Sequence, residues 1–275
     1  MARFAQITDL HLRPPGVLTL GDIDADGYTA RAIDALIAKH PDVDGVLVTG
    51  DITDLGEEEA YNRAAMLLSR FSVPVLVLPG NHDLRAAMGE AFVAWPGFGA
   101  GVVDDKLCYA LTVAGVTVVC LDTLVDGRPH GELGAAQLAW LDETLAGAGP
   151  TLIALHHPPF TAGIAFMDAI GLTDRDAFAA VVAKHDNVKR IVCGHVHRTI
   201  VGSVGCVPAI AVPGVAHQVM MALDGSSDAR LVMEPPAYAI HDVSADGAAS
   251  HVGYVDDYGA PASFAERAAS SVPRQ

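Results

Sequence analysis

The chain has 275 residues, 51% of them hydrophobic and 18% charged, and its formal net charge is −16. This composition is typical of a globular protein with one large core, not of a disordered chain. The strong negative charge disfavours binding to nucleic acid polymers and to anionic membranes, and the longest apolar runs are too short to span a bilayer. Because the N-terminus leads directly into a strand pattern with no signal peptide, we expect a cytoplasmic protein.

The first third of the chain alternates short apolar runs with amphipathic stretches. Buried strands are predicted over Arg3–Thr8, Gly45–Thr49 and Val73–Leu78. Helices are predicted between them over Tyr28–His40 and Glu57–Arg70, the second with acidic residues in its first turn. This alternation indicates an α/β fold.

The middle of the chain adds antiparallel pairing to this pattern. Two strand-like runs, Leu107–Val113 and Val116–Leu121, flank Ala114-Gly115 and predict a hairpin. The elements predicted after them are helices over Gly134–Leu145 and Arg175–His185 and strands over Thr151–Leu155 and Val188–Cys193. Hairpins mixed with βαβ units exclude a plain doubly wound sheet.

After residue 197 the pattern changes to short strand-like pieces that prolines separate. Within this region we divide the chain into residues 1–214 and a C-terminal appendage, residues 215–275, which ends in a tail. Its apolar pieces, such as Val219–Leu223 and Tyr238–Ile240, must be buried against something. We therefore expect a cap that shapes the entry to a site, and a homo-oligomer, a dimer or larger. His241 in this part is expected at the surface.

The four cysteines show no spacing typical of a metal site. They are Cys108, Cys120, Cys193 and Cys206, and most of them lie in apolar runs. We interpret them as buried reduced thiols.

Five short motifs carry side chains of the kind that bind metals, and most of them follow a predicted buried strand. In chain order they are Asp9-Leu10-His11, Gly50-Asp51-Ile52-Thr53-Asp54, Gly80-Asn81-His82-Asp83, His156-His157 and Gly194-His195-Val196-His197. Strand ends in an open α/β sheet lie along one edge, where ligands bind. Taken singly, each motif has an ordinary explanation: Gly80-Asn81 is a common turn dipeptide, and His195 with His197 could be a simple pair on one face of a strand.

Taken together, the motifs resemble the calcineurin-like metallophosphoesterase superfamily, whose pattern is D-x-H, G-D-x-x-[DY], G-N-H-[DE], H and G-H-x-H. All five blocks are present in order, from Asp9 to His197. The resemblance implies two packed mixed β-sheets flanked by helices, an α/β/β/α sandwich, with a small C-terminal cap. It makes residues 1–214 the catalytic domain. Because the last motif ends at His197, we expect that the chemistry does not need the residues that follow it.

The resemblance also implies a pair of divalent or trivalent metal ions. The first metal is assigned to Asp9, His11, Asp51 and His197, and the second to Asp51, Asn81, His156 and His195. Oxygen and imidazole ligands without a thiolate set suit Mn, Fe, Zn or Co. Asp51 is the natural bridging carboxylate, and the glycine before it allows a sharp turn.

The remaining site residues are assigned to catalysis and to substrate binding. His82 is expected to face the phosphoryl oxygens or the leaving group, with Asp83 holding it in one tautomer and Asn81 beside it. The metals would lower the pKa of a bound water to about 7 and so supply a hydroxide nucleophile. Arg13 and His217 are candidates for substrate contact together with His82.

Two neighbours of the predicted ligands receive other interpretations. His157 is interpreted as a structural neighbour of the metal site, not as a ligand. Asp54 is expected to support the ligands or to cap a helix.

Departures from the family pattern narrow the substrate. Purple acid phosphatases have Tyr where this chain has Asp54, and protein Ser/Thr phosphatases have Arg where it has Pro79. Because that Arg would help to hold a dianionic monoester, its absence favours a diester. The chain resembles bacterial glycerophosphodiesterases of broad specificity and class III cyclic-nucleotide phosphodiesterases, and we expect a small glycerophosphodiester as substrate. The alternative is a 3′,5′-cyclic nucleotide, and the remote alternative is a non-catalytic metal-binding scaffold.

Overall fold

The computed structural model describes residues 1–98 and 102–264 of the chain. The strands, in chain order, are β1 (Ala2–Ile7), β2 (Gly45–Thr49), β3 (Val75–Leu78), β4 (Val102–Val103), β5 (Lys106–Leu107), β6 (Tyr109–Val113), β7 (Val116–Cys120), β8 (Thr151–Ala154), β9 (Val188–Cys193), β10 (Ile200–Val204), β11 (Val207–Ala211), β12 (Gln218–Val219), β13 (Leu231–Val232), β14 (Ala237–Ser244) and β15 (Gly247–Tyr254). The helices are α1 (Ala25–Lys39), α2 (Glu58–Leu68), α3 (Arg85–Phe92), α4 (Ala135–Ala146), α5 (Ala165–Ala169) and α6 (Arg175–Val182).

The first sheet contains five strands in the order β15-β14-β1-β2-β3. Strands β1, β2 and β3 are parallel, as the predicted alternation requires, and α1 and α2 connect them. Helix α1 begins at Ala25, three residues before the predicted start, because the Asp24 side chain accepts a hydrogen bond from the Gly27 amide and caps it.

The second sheet contains six strands in the order β10-β11-β9-β8-β7-β6. Its four inner strands are parallel, and β6 and β10 run antiparallel at the two edges. The predicted hairpin is confirmed as β6–β7, and it turns through Ala114 and Gly115, which have φ angles of 49° and 82°. Positive φ at both positions is the backbone that a two-residue hairpin turn requires.

The core lies in two layers, one on each side of the second sheet. In β7, Val118 packs into the cluster shared with the first sheet, whereas Val119 packs with the helices on the other side. In β8, Leu152 and Ile153 alternate in the same way. This period of two places one sheet on the other and α4–α6 on the outer face, which confirms the α/β/β/α sandwich.

The chain after residue 214 is divided between two places. Strands β12 and β13 form a small separate ladder, whereas β14 pairs antiparallel with β1 over five residues and with β15 over eight. The boundary at residue 214 stays a prediction as a domain boundary. The piece Tyr238–Ile240, which we expected in the appendage, lies instead inside the first sheet, because β14 satisfies the backbone groups along the open edge of β1.

The cysteines follow the prediction in three of four positions. Cys108, Cys120 and Cys193 are buried, Cys206 is exposed in the turn between β10 and β11, and all four are free. Among the described residues, no helix combines the length and the apolar character that crossing a bilayer would require.

Candidate metal centre

The five motifs meet at one end of the two sheets. Each begins within three residues of the carboxyl end of a parallel strand: β1, β2 and β3 in the first sheet, and β8 and β9 in the second. All five of these ends face one shared region, because the sheets pack face to face. Residues as distant in sequence as His11 and His197 therefore come within 3.2 Å of each other.

The backbone at this end is bent in an unusual way. Five of the seven predicted ligands have φ in the left-handed region: Asp9 (54°), His11 (46°), Asp51 (48°), His195 (67°) and His197 (46°). Each such residue costs about 1–3 kcal/mol and persists only where the surroundings hold it, which is typical of functional sites. Here the Asp9 amide donates to the Gly50 carbonyl at 3.1 Å and the His11 amide to the Asp51 carbonyl at 2.9 Å, so the first two motifs hold each other.

The residues assigned to the first metal form a compact buried cluster. One ligand atom from each of Asp9, His11, Asp51 and His197 lies within 4.8 Å of the others. His197 Nε2 is 3.1 Å from Asp9 Oδ1 and 3.2 Å from His11 Nε2. His197 Nδ1 faces the His217 carbonyl at 2.9 Å. Because Nδ1 donates there, Nε2 is the nitrogen left to bind a cation.

The residues assigned to the second metal lie around His156, which contacts the same carboxylate. His156 Nε2 lies 3.3 Å from Asp51 Oδ2 and 3.2 Å from Asn81 Oδ1, and its Nδ1 donates to the Thr49 carbonyl at 2.9 Å. The His195 ring lies 5.1 Å from the His156 ring, and its Nε2 donates to the Ile170 carbonyl at 3.1 Å. This bond leaves Nδ1 of His195 for the centre.

Asp51 lies between the two clusters. Its Oδ2 is 3.6 Å from His11 Nε2 on one side and 3.3 Å from His156 Nε2 on the other. Its Oδ1 accepts a hydrogen bond from the His82 amide at 2.9 Å, which fixes the plane of the carboxylate. This is the position that a carboxylate bridging two metal ions would need.

Charges in the cluster are held by mutual pairing. Burial alone would raise the pKa of Asp9, but His197 outweighs it and lowers that pKa to about 2. Burial would likewise lower the pKa of His156, but Asp51 and Asp9 raise it to about 9. Burial lowers the pKa of His195 well below its usual value. Anionic oxygens and imidazole nitrogens packed this closely fit divalent metal ions of the borderline class.

His82 and Asp83 do not interact in the way that we expected. His82 Nδ1 faces the carbonyl of Asp54 at 2.8 Å, so Asp54, not Asp83, sets its tautomer. The Asp83 carboxylate points away from it and accepts from the amides of Ile52, Thr53 and Gly80 at 2.9–3.1 Å. The predicted role of Asp83 toward His82 is therefore wrong. Asp83 binds the second and third motifs to each other because its oxygens are the nearest acceptors for their turn amides.

The candidates for substrate contact lie in different surroundings. The His217 ring lies 4.7 Å from His197 and 5.3 Å from His11, and burial lowers its pKa to about 3. Arg13 is paired instead with Glu57 at 2.8 Å and with Asp54 at 3.5 Å. It is not among the described residues that line the cavity above the cluster. Its guanidinium is thus committed to carboxylates, which argues against the predicted phosphate contact.

His157 has protein partners on both ring nitrogens. Nδ1 lies 2.8 Å from the Thr123 hydroxyl and Nε2 lies 3.1 Å from the Pro129 carbonyl. Burial lowers its pKa to about 3. A neutral ring with both nitrogens occupied agrees with its interpretation as a structural neighbour of the ligands.

A cavity of about 350 Å³ opens above the cluster. His82, His217 and several predicted ligands form its floor. Its walls contain residues that the motifs do not predict: Leu20, Phe166, Ile170, Arg230 and Leu231. These side chains come from loops and from α5 and β13, where local sequence carries no signal of a shared cavity. A cavity of this volume accommodates a small ligand.

Oxygen and imidazole ligands collected at the shared strand ends of two packed sheets are the arrangement that the sequence resemblance implied, that of a metallophosphoesterase. A family model described as calcineurin-like phosphoesterase matches residues 2–199. The chain belongs to this family.

Similar proteins point in the same direction. The chain is 35% identical to a probable cyclic nucleotide phosphodiesterase of Rhodopseudomonas palustris, over 90% of this chain and 91% of the relative. It is 30% identical to the glycerophosphodiester phosphodiesterase GpdQ of Enterobacter lignolyticus, over 86% and 85%. It is 34% identical to the 3′,5′-cyclic adenosine monophosphate phosphodiesterase CpdA of Escherichia coli, over 72% and 70%. A dimetal phosphatase from Danio rerio shares the fold, with a TM-score of 0.60 and 15% identity over 90% of this chain and 98% of that one.

Proposed function

We propose that this protein is a metal-dependent phosphodiesterase that hydrolyses small phosphodiesters at a centre of two metal ions. The observation that carries the proposal is the position of Asp51, whose carboxylate lies between two clusters of buried ligands. The cavity above it is about 350 Å³, which fits a small diester. The acidic chain has no need of a basic surface if bound cations supply the local positive charge.

The assigned residues divide the work of the reaction. Asp9, His11, Asp51 and His197 would hold one metal, and Asp51, Asn81, His156 and His195 the other. Bound there, the two ions would act as Lewis acids on the phosphoryl group and on a water molecule. His82, with Nδ1 donating to the Asp54 carbonyl, would present Nε2 to the cavity. When protonated, Nε2 would donate to the oxygen of the leaving group as the phosphorus–oxygen bond breaks.

Hydrolysis of bis(p-nitrophenyl) phosphate tests the proposal. We expect p-nitrophenolate release with added Mn²⁺ and little or none with a chelator, and restoration when metal returns. The variant Asp51→Asn keeps the shape of the side chain but removes the charge shared by both sites, so it should lower metal content as well as activity. The variant His251→Gln is the control, because His251 is exposed on β15. Full activity of the chelated protein, or of Asp51→Asn, would refute the proposal.

Two substrate classes fit the cavity, and we place glycerophosphodiesters first. The likeness to GpdQ supports this choice. The alternative, a 3′,5′-cyclic nucleotide, is supported by the likeness to the relatives from R. palustris and E. coli. A panel of kcat/KM values under one metal decides between them. It should contain glycerophosphocholine, glycerophosphoethanolamine, glycerophosphoglycerol, 3′,5′-cAMP, 2′,3′-cAMP and a monoester.

The metal pair and the assembly complete the proposal. The donor set supports Mn, Fe, Zn or Co in both positions, and metal analysis of the active protein should give two ions per chain. We also propose a homo-oligomer, which size-exclusion chromatography tests, and a cytoplasmic location, which cell fractionation tests.

A further inference from the structure

The mouth of the cavity holds a guanidinium group that none of the five motifs predicts. Arg230 is the only lysine or arginine among the described residues that line the cavity. Other arginines near the site are committed to carboxylates: Arg13 pairs with Glu57 and Arg198 with Glu234. Arg230 forms no ion pair within the described part of the chain and is exposed to solvent. It is therefore a cation available to a ligand in the cavity.

The backbone around Arg230 is held in place relative to the predicted ligands. Its carbonyl accepts a hydrogen bond from the Met220 amide at 2.7 Å, and Val219 pairs with Leu231 in the β12–β13 ladder. The same segment begins at His217, whose carbonyl accepts from His197 Nδ1. These bonds connect the backbone of Arg230 to the segment that contacts the predicted ligand His197.

The walls beside Arg230 are apolar. Phe166 and Ile170 come from the α5 region, and Leu20 and Leu231 from two other segments. A phosphodiester has two ester groups, of which one leaves and one is retained. With the phosphate at the floor, one of these groups would extend toward this wall and toward Arg230, since both line the same cavity. A guanidinium binds hydrogen-bond acceptors and anions and repels a positive group, and an aromatic wall favours a flat ring.

We propose that Arg230 is a specificity-determining residue that reads the ester group next to the scissile bond. It favours diesters whose retained group is neutral or anionic and carries hydrogen-bond acceptors, as glycerol or a nucleoside does, and it disfavours a cationic group such as choline. This proposal rests on the proposed phosphodiesterase function and narrows its substrate class. Among glycerophosphodiesters it favours neutral and anionic head groups over choline and ethanolamine.

Three p-nitrophenyl esters with one common leaving group test the proposal. They are thymidine 5′-phosphate p-nitrophenyl ester, p-nitrophenyl phosphocholine and bis(p-nitrophenyl) phosphate. The wild type is compared with Arg230→Gln, which removes the charge, and with Arg230→Lys, which keeps the charge but loses the planar fork. Arg31→Gln is the matched control, because Arg31 is an exposed arginine on α1, outside the cavity lining.

We expect Arg230→Gln to lower kcat/KM for the thymidine ester about fivefold and to leave that for the choline ester unchanged or higher, since an exposed charge-assisted contact has about this effect. The kcat/KM values of Arg230→Lys should lie between those of the wild type and of Arg230→Gln. Those of Arg31→Gln should match the wild type. An equal change for all three esters, or none, would overturn the proposal.

Equilibrium binding separates this proposal from the proposed function. Thymidine 5′-phosphate and phosphocholine are titrated calorimetrically into the metal-loaded wild type and into Arg230→Gln. Loss of discrimination between them in the variant supports the role of Arg230 even if turnover is absent. Equal discrimination in both proteins overturns it. Absence of hydrolysis of every ester contradicts only the phosphodiesterase function.

Discussion

At the scale of single residues, neighbours in one motif have different tasks. His82 turns Nδ1 to the carbonyl of Asp54 and lines the cavity. Asp83, the next residue, is buried and accepts hydrogen bonds from turn amides and from the Tyr61 hydroxyl at 2.9 Å. One side chain is therefore available to a substrate, and the other fixes the loop that carries it.

Replacement of His82 tests this division. We expect His82→Ala to keep its metal content and to lower kcat by about 10²–10⁴, the range for a positioned proton donor. The loss should be smaller for a p-nitrophenyl ester than for an alkyl ester, because p-nitrophenolate needs little protonation. His251→Ala is the control on the exposed face of β15. An equal loss with both leaving groups would show that His82 acts only through charge or structure.

A second histidine, His241, lies outside the predicted ligand set and is expected to affect stability. His241 in β14 is fully buried, and the expectation that it lies at the surface was wrong. Its Nε2 donates to Gln6 Oε1 at 2.9 Å, its Nδ1 accepts from the Ser250 hydroxyl at 2.7 Å, and Gln6 in turn donates to the Thr49 hydroxyl. Burial lowers its pKa to about 3, with Arg190 and His251 acting in the same direction and Asp242 against them.

This burial predicts a pH dependence of stability. Because the pKa in the folded state lies below the unfolded value of about 6.5, the unfolded chain binds the proton first as pH falls. The neutral ring contributes fully to the free energy of unfolding above pH ~6.5. This contribution is lost between that pH and ~3, at up to about 1.4 kcal/mol per pH unit. We expect the free energy of unfolding of His241→Gln to depend less on pH than that of the wild type between pH 6.5 and 4.5. Urea unfolding at several pH values measures this; parallel curves for wild type and His241→Gln would contradict it.

Sequence reasoning could assemble the predicted ligands because each lies in a short motif directly after a strand. It could not assign Asp83, since only the folded turns show which amides lie near that carboxylate. It could not find Arg230 either, because a single arginine in the loop before β13 carries no local pattern. Sequence reasoning missed the burial of His241 for a different reason, because its hydrogen-bond partner Gln6 lies 235 residues away.

At the scale of elements, the turn after β2 joins the two halves of the site. Gly50 has a φ of 90°, and a Cβ atom there would overlap the His156 ring and lie 2.9 Å from the Gly80 amide nitrogen. The second, third and fourth motifs thus approach each other over a position that only glycine can occupy.

Two glycines with similar backbone angles give a matched test of this packing. We expect Gly50→Ala to lower the free energy of unfolding by about 4 kcal/mol or more, because backbone strain and steric overlap act together. This variant should also bind metal poorly. Gly115 has a φ of 82°, and no atom lies within 4 Å of the methyl group that alanine would add. Gly115→Ala should therefore lower the free energy of unfolding by only about 1–2 kcal/mol. Thermal unfolding and metal analysis of both variants measure the difference. Similar losses would mean that the close approach of the motifs contributes little.

For the first sheet, the sequence predicted the positions of the strands better than their pairing. Alternation along the chain predicted β1, β2 and β3 with helices between them, and the structure pairs these strands in parallel. Strand β14 has no such connection, and its apolar residues fit a cap as well as a sheet. The position of β14 is set by its pairing with the open edge of β1.

At the scale of the whole molecule, the two ends of the described chain close the first sheet. Strand β1 lies between β2 and β14, and Arg3 pairs with Asp242 across this contact at 2.7 Å. Lys39 at the end of α1 donates to the carbonyl of Val255 at 3.0 Å. The predicted ligands begin with Asp9, two positions after β1, so the C-terminal hairpin supports the strand that carries it. The expectation that the chemistry does not need the residues after 214 must be revised for this hairpin.

Two truncations test this support. Removal of residues 259–275 should change the free energy of unfolding by less than about 0.5 kcal/mol, because the described part of that segment, 259–264, is exposed. Removal of residues 237–275 should instead prevent stable folding. It uncovers the edge of β1 and the buried side chain of Gln6, and the loss exceeds the usual 5–15 kcal/mol that holds a domain together. Circular dichroism, thermal unfolding and metal analysis of both proteins measure the outcome. A folded, metal-binding protein that ends at residue 236 would show that the N-terminal strand and the predicted ligands are stable without the hairpin.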